Sequence, residues 1–128
     1  MVDDKSVFLT VPEDDHLIRG KSFFVIRDRF PVSPGHCLIV SRAQKTNYFE
    51  LDGKEQAELC MLIHEVRTWI EENYSPEGYN IGMNCGRQAG QTVMHFHCHV
   101  IPRYTGDMDD PSGGIRHCVD GKGKYETF

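Results

Sequence analysis

Gln91-Thr92-Val93-Met94-His95-Phe96-His97-Cys98-His99-Val100-Ile101-Pro102-Arg103 decides how this chain is read. Three of the seven histidines fall here, one at every second position. A period of two is the period of a β-strand, whose successive side chains point to opposite faces. The stretch therefore predicts a strand with His95, His97 and His99 on one face. Met94, Phe96, Cys98 and Val100 form the other, an apolar side for a core. Pro102 is expected to end the run.

Working outward, Tyr79-Asn80-Ile81-Gly82-Met83-Asn84-Cys85 alternates in the same way. Paired antiparallel with the histidine strand, it would place Asn80 and Asn84 on the histidine side. Between the two lies Gly86-Arg87-Gln88-Ala89-Gly90-Gln91-Thr92, bracketed by glycines. Such a loop can turn backbone N–H groups toward an anion. A plain hairpin connection would also use glycines there, and taken alone it is the simpler reading.

The upstream half predicts three further strands, at His16–Gly20, Ser22–Arg27 and Cys37–Val40. The first two look like a hairpin. Asp28 to His36 contains two prolines and a Pro-Gly pair, an ordered turn-rich loop. Taken singly, Asp28 caps a turn and His36 is a surface histidine. A helical turn is expected around Asn47–Glu50. Asp52 with Glu55 three residues on has the pattern of a capping box. Leu59, Ile63, Val66, Ile70 and Tyr74 then recur at helical spacing, widened by Leu62 and Trp69, until Ser75-Pro76 stops the helix. His64 on that helix and His117 in the tail receive no role.

The 128 residues suit a single domain, 1–128, with its core at about 16–103. Residues 104–128 read as an irregular, Gly- and Asp-rich tail draped over a neighbour. A net charge of −5 argues against a nucleic-acid binder, which needs a basic patch. It leaves a small anionic ligand open. Five irregularly spaced cysteines without a CxxC pair suggest reduced thiols and a cytoplasmic protein. No signal-peptide pattern is read at the N-terminus, and no apolar run approaches the ~20 residues of a membrane span.

Two kinds of chemistry use histidines in this pattern. Alternate strand residues are roughly 6.5–7 Å apart, so three rings on one regular strand do not easily reach one metal ion. A metal site would need His36, Asp28 or a cysteine to complete it. The other chemistry is nucleophilic attack on phosphorus by a neutral imidazole, whose second nitrogen must be held as N–H by an acceptor. That reaction also needs donors around the phosphoryl oxygens. The flanking histidines, Thr92, Gln91 and Asn84 are suitable types. A stripe of histidines without function is a poor stability device.

His95-Phe96-His97-Cys98-His99-Val100-Ile101 resembles the His-φ-His-φ-His-φ-φ signature of the histidine triad (HIT) family, with Cys98 as the second φ. Ala89-Gly90-Gln91-Thr92-Val93 and Pro102-Arg103 are similar to the branch that cleaves dinucleoside polyphosphates. Pro34-Gly35-His36 matches an earlier family element. The resemblance runs from about His16 to Arg103. It implies an α+β fold, a mainly antiparallel five-stranded sheet with one long and one short helix, and a homodimer. It implies a hydrolase in which His97 attacks the α-phosphorus and forms a nucleotidyl-histidine. In that scheme His36 supports His97, and the His95 carbonyl holds its other nitrogen. His99, Gln91 and Thr92 contact phosphate oxygens. Asp28 takes the ribose, Asn84 lies on the phosphate or leaving-group side, and Phe8, Leu17 and Ile26 line a purine pocket. The CxxC zinc pair of many relatives is missing, so no metal is expected. No cofactor is expected to be tightly bound, and Mg²⁺ would enter only with the substrate phosphates. A nucleoside phosphoramidase, using the same nucleophile, and a nucleotide-binding or sensing protein with little turnover are the alternatives.

Overall fold

The computed structural model describes residues 5–125. Five antiparallel strands form one sheet: β1 (Ile18–Arg19), β2 (Phe23–Arg27), β3 (Cys37–Ser41), β4 (Gly78–Gly82) and β5 (His97–Arg103). Their spatial order is β1-β2-β3-β5-β4. The histidine strand is therefore internal, and β4 closes one edge. One long helix, α1 (Gly53–Asn73), covers one face of the sheet. The remaining helical segments are short 3₁₀ turns, including the expected one at Tyr48–Glu50.

Helix α1 starts where its backbone donors find a partner. Asp52 accepts from the Glu55 N–H, and Glu55 reaches back to the Asp52 N–H, each at 2.8 Å. Leu59, Leu62, Val66 and Ile70 are buried from the helix side. They meet Phe23, Val25, Cys37, Ile39, Phe96, Cys98 and Val100 from the sheet. Gly35 adopts φ +91°, and a side chain there would strike the Tyr74 ring at 2.9 Å.

The opposite face is covered only in part. Phe24, Ile26, Leu38 and Val40 of β2 and β3 pack against Phe8, Leu9 and Val11 of the N-terminal segment. Packing thus starts upstream of His16, the expected edge of the core. That segment carries a 3₁₀ turn at Val7–Thr10. On the same face, β5 and β4 stay more open, and there the histidines lie.

Several boundaries differ from the sequence reading. β1 is confined to two residues. Pro102 does not end β5 but lies inside it, paired with Tyr79 of β4. Pairing with β3 stops at Val100, so the missing proline N–H breaks no ladder bond on that side. The Pro102 carbonyl instead accepts from Ser33 Oγ at 2.5 Å. β4 ends at Gly82, opposite His99, leaving Met83, Asn84 and Cys85 outside the strand. The tail includes a 3₁₀ turn, Gly114–Cys118, and Ile115 from it sits over Gly82. All five cysteines are free thiols.

Candidate active site

His97 and His99 lie on β5 beside a cleft of about 770 Å³. Phe8, Val11, Ile26 and Leu38 give it an apolar wall, and Asp28, Asn84, Thr92, His97 and His99 give it polar groups. His36, His95 and Gln91 stand behind this wall, each at most 3 % exposed.

The hydrogen bonds fix which nitrogens carry protons. His97 Nδ1 lies 2.8 Å from the His95 carbonyl. A carbonyl can only accept, so Nδ1 is the N–H, and Nε2 of a neutral ring keeps its lone pair. The Val32 N–H donates to His36 Nδ1 at 3.2 Å, which puts the His36 proton on Nε2. That nitrogen stands 2.9 Å from His99 Nδ1 and donates to it. His99 then carries its own proton on Nε2. The Asp28 carboxylate approaches the same pair, 3.4 Å from His36 Nε2 and 3.9 Å from His99 Nδ1. Its other oxygen accepts from the Phe30 N–H at 2.8 Å, so Asp28 also caps its turn.

Burial keeps these supporting rings neutral. Desolvation lowers the His99 pKa to about 4, helped by His97 and His36 and opposed by Asp28. Burial also lowers His36, against the pull of Asp28. His95 is lowered by burial too, opposed by the Ser41 carbonyl on its Nε2 at 2.6 Å.

Asp28, His36 and His99 are the one set among the described residues whose atoms converge as metal ligands would. The proton positions do not fit a metal. A ligating nitrogen must offer a lone pair, and the Val32 N–H leaves His36 Nε2 with a hydrogen. The set is a hydrogen-bond relay.

Several positions differ from the sequence reading. His36 contacts His99, and its ring nitrogen makes no hydrogen bond to His97. His95 precedes β5 and lies on the His97 side under the Phe8 ring, but it is fully buried and not open to the cleft. Gln91 is committed to its own loop. Its Oε1 accepts from the Gly86 N–H, and its Nε2 donates to the Thr46 and Val93 carbonyls. Neither amide hydrogen is left for a phosphate oxygen. The loop amides of Gly86, Ala89, Gly90 and Gln91 likewise have internal acceptors, because the loop closes a 3₁₀ turn between two glycines at positive φ. Leu17 packs with the α1-side core rather than at the cleft. Asn80 faces the histidine side but accepts from Arg103 Nη1 at 2.6 Å. Val32 was missed by sequence reading, since a backbone N–H leaves no mark on residue type.

A family model described as HIT domain matches residues 10–106, and the chain belongs to that family. It is 33% identical over 92 residues to the AP-4-A phosphorylase of Mycobacterium tuberculosis, covering 71% of this chain and 47% of that one. It is 35% identical over 80 residues to the asymmetrical bis(5'-nucleosyl)-tetraphosphatase of Schizosaccharomyces pombe, covering 62% and 44% respectively. A solved structure, that of a hypothetical histidine triad nucleotide-binding protein from Sulfolobus tokodaii strain7, superposes with TM-score 0.68 at 34% identity. That match covers 75% of this chain and 64% of the other. The chain spans about half the length of the curated relatives it matches. No helix among the described residues is long and apolar enough to cross a membrane.

Proposed function

We propose that this protein hydrolyses dinucleoside polyphosphates at the α-phosphate through a nucleotidyl-histidine on His97. The observation that carries the reading is the His97 ring. One nitrogen is tied to the His95 carbonyl, and the ring lies on the cleft wall. The names of the mycobacterial and fission-yeast relatives support the substrate class.

The chemistry runs in two displacements. His97 Nε2 attacks phosphorus, forming an N–P bond as the bond to the leaving oxygen breaks. The leaving group takes the electron pair. Positive charge spreads over the His97 ring, and the His95 carbonyl dipole at Nδ1–H stabilises it. His99, held by His36, presents Nε2–H to a phosphoryl or leaving-group oxygen. Thr92 and Asn84 contact phosphate oxygens, with Mg²⁺ accompanying the substrate. Asp28 takes a ribose hydroxyl, and Val11, Ile26 and Leu38 receive the base. Gln91 acts by shaping the loop. Water then attacks phosphorus, the N–P bond breaks with its electrons returning to Nε2, and the attacking water's proton passes to solvent. The product is a nucleoside monophosphate. Ile81, 42% exposed on the open edge strand, supports a second copy of the chain docking there.

The test is turnover of diadenosine tetraphosphate and of an adenosine phosphoramidate by wild type and His97→Ala. Hydrolysis of the first, lost in the variant, is the expected result. Preference for the phosphoramidate would move the protein to the alternative substrate class. A variant with full activity on both would remove His97 as the nucleophile.

A further inference from the structure

The segment upstream of residue 10 lies outside the HIT match, yet it places a ring on the nucleophile. The Phe8 ring centroid stands 4.9 Å from that of His97 and 5.7 Å from that of His95. Both contacts are edge-to-face, with interplanar angles of 60° and 64°. We propose that Phe8 is a positioning residue for His97: it clamps the nucleophile ring against its tautomer-fixing partner. The proposal deepens the hydrolase reading and rests on it for its catalytic consequence.

Three observations support the clamp. First, Phe8 is held from its own backbone. Its N–H donates to Ser6 Oγ at 3.2 Å, and the Ser6 N–H donates to Gln44 at 2.9 Å. Leu9 and Val11 fasten the segment to the β2–β3 face. Second, a single ring packs on the His97 ring and on the side chain of His95, the residue whose backbone carbonyl accepts from His97 Nδ1. Third, His95 is 0% exposed, and its Nδ1 has no hydrogen-bond partner among the described residues. Only Nε2, on the Ser41 carbonyl, anchors that ring, so packing must set the rest of its position. A ring that loses its lateral wall can rotate about χ2, and the Nδ1–H bond to the His95 carbonyl then weakens. The nucleophile would sample the tautomer with a proton on Nε2, which cannot attack phosphorus.

The experiment combines kinetics with long-range ¹H–¹⁵N correlation of the histidine rings in the full chain. Phe8→Ala, Phe8→Leu and Phe8→Tyr are compared with Leu9→Ala. The last loosens the same segment without touching His97. In wild type and Leu9→Ala, His97 is expected as the Nδ1–H tautomer. In Phe8→Ala its two nitrogens should move toward averaged shifts. The kcat of Phe8→Ala should fall about 10- to 100-fold on both purine and pyrimidine dinucleotides, with little change in KM. Phe8→Leu should fall between the two, and Phe8→Tyr should keep the wild-type tautomer. An unchanged His97 tautomer in Phe8→Ala, with KM alone raised for purines, would make Phe8 a base contact and overturn the proposal. Equal losses in Leu9→Ala would do the same. If wild type turned over no nucleotide, the hydrolase reading would fail, and the ring spectra would still decide the role of Phe8.

Discussion

The two faces of β5 differ in what burial achieves. Toward α1, Cys98, Val100 and the preceding Phe96 are at most 1% exposed and pack into the apolar core. Burial there stabilises the fold and silences chemistry: the Cys98 thiol is pushed up to about 12. On the other face, His97 and His99 are half-buried, and their nitrogens meet a carbonyl and a second histidine. Partial burial lowers His99 to about 4 while leaving its ring beside open volume. A strand internal to the sheet lets one backbone serve both ends, because alternate side chains never share an environment.

Separate substitutions on the two faces should therefore separate stability from activity. His97→Ala is expected to lower kcat by at least about 10³-fold, as removal of a nucleophile does. Its unfolding free energy should stay within about 1 kcal/mol of wild type. Phe96→Ala removes a fully buried ring that packs edge-on to Phe23 at 5.9 Å. It should cost about 3–5 kcal/mol in urea unfolding. Equal stability losses in the two variants would break the comparison, because the histidine face would then be carrying core packing.

The histidine face should also set a pH dependence that the apolar face lacks. His99 titrates near 4 when folded, against an ordinary 6.5. Between these values the unfolded chain binds the proton that the folded chain refuses. This contribution to stability is complete above about 6.5 and is lost progressively as pH falls toward 4. His36 and His95 are lowered for the same reason and add to the slope with the same sign. His99→Gln should flatten, without abolishing, the fall in urea midpoint between pH 7 and pH 4.5. An unchanged slope in the variant would mean that burial of His99 does not govern acid sensitivity.

How far residue types anticipate these contacts varies along the chain. The Asp52–Glu55 cap and the Leu59–Ile70 stripe are local, and a 3.6-residue period records them fully. The alternation of β5 records its faces equally well. Pro102 misleads because a proline is compatible with a strand wherever one flank is unpaired, and pairing is non-local. His36 falls between. Its place in the site is readable from the Pro34-Gly35-His36 turn, but its partner is set by β3–β5 register, which brings Leu38 opposite His99. Gln91 looks like a phosphate donor by type, and only the folded loop reveals that its amide braces Gly86 and Thr46. Phe8 carries no motif, and its position on His97 depends on how the N-terminal segment crosses the sheet.

The smallest effect is expected where neither face is touched. Asp52→Ala removes the acceptor for the Glu55 N–H at the start of α1. The reciprocal bond from Asp52 N–H to Glu55 survives in principle, since it uses the backbone of residue 52. Glu55 also keeps its partner Lys45, 2.5 Å away. The loss should then be about 1 kcal/mol, that of a single N-cap. Because Leu59, the first buried residue of the helix, lies almost two turns further on, the α1-side core stays seated. kcat should match wild type at a temperature where both proteins are folded. A fall in kcat would show that the connection from Lys45 to Asp52, whose Lys45 carbonyl accepts from the Phe96 N–H at 2.6 Å, transmits strain from the helix end to β5.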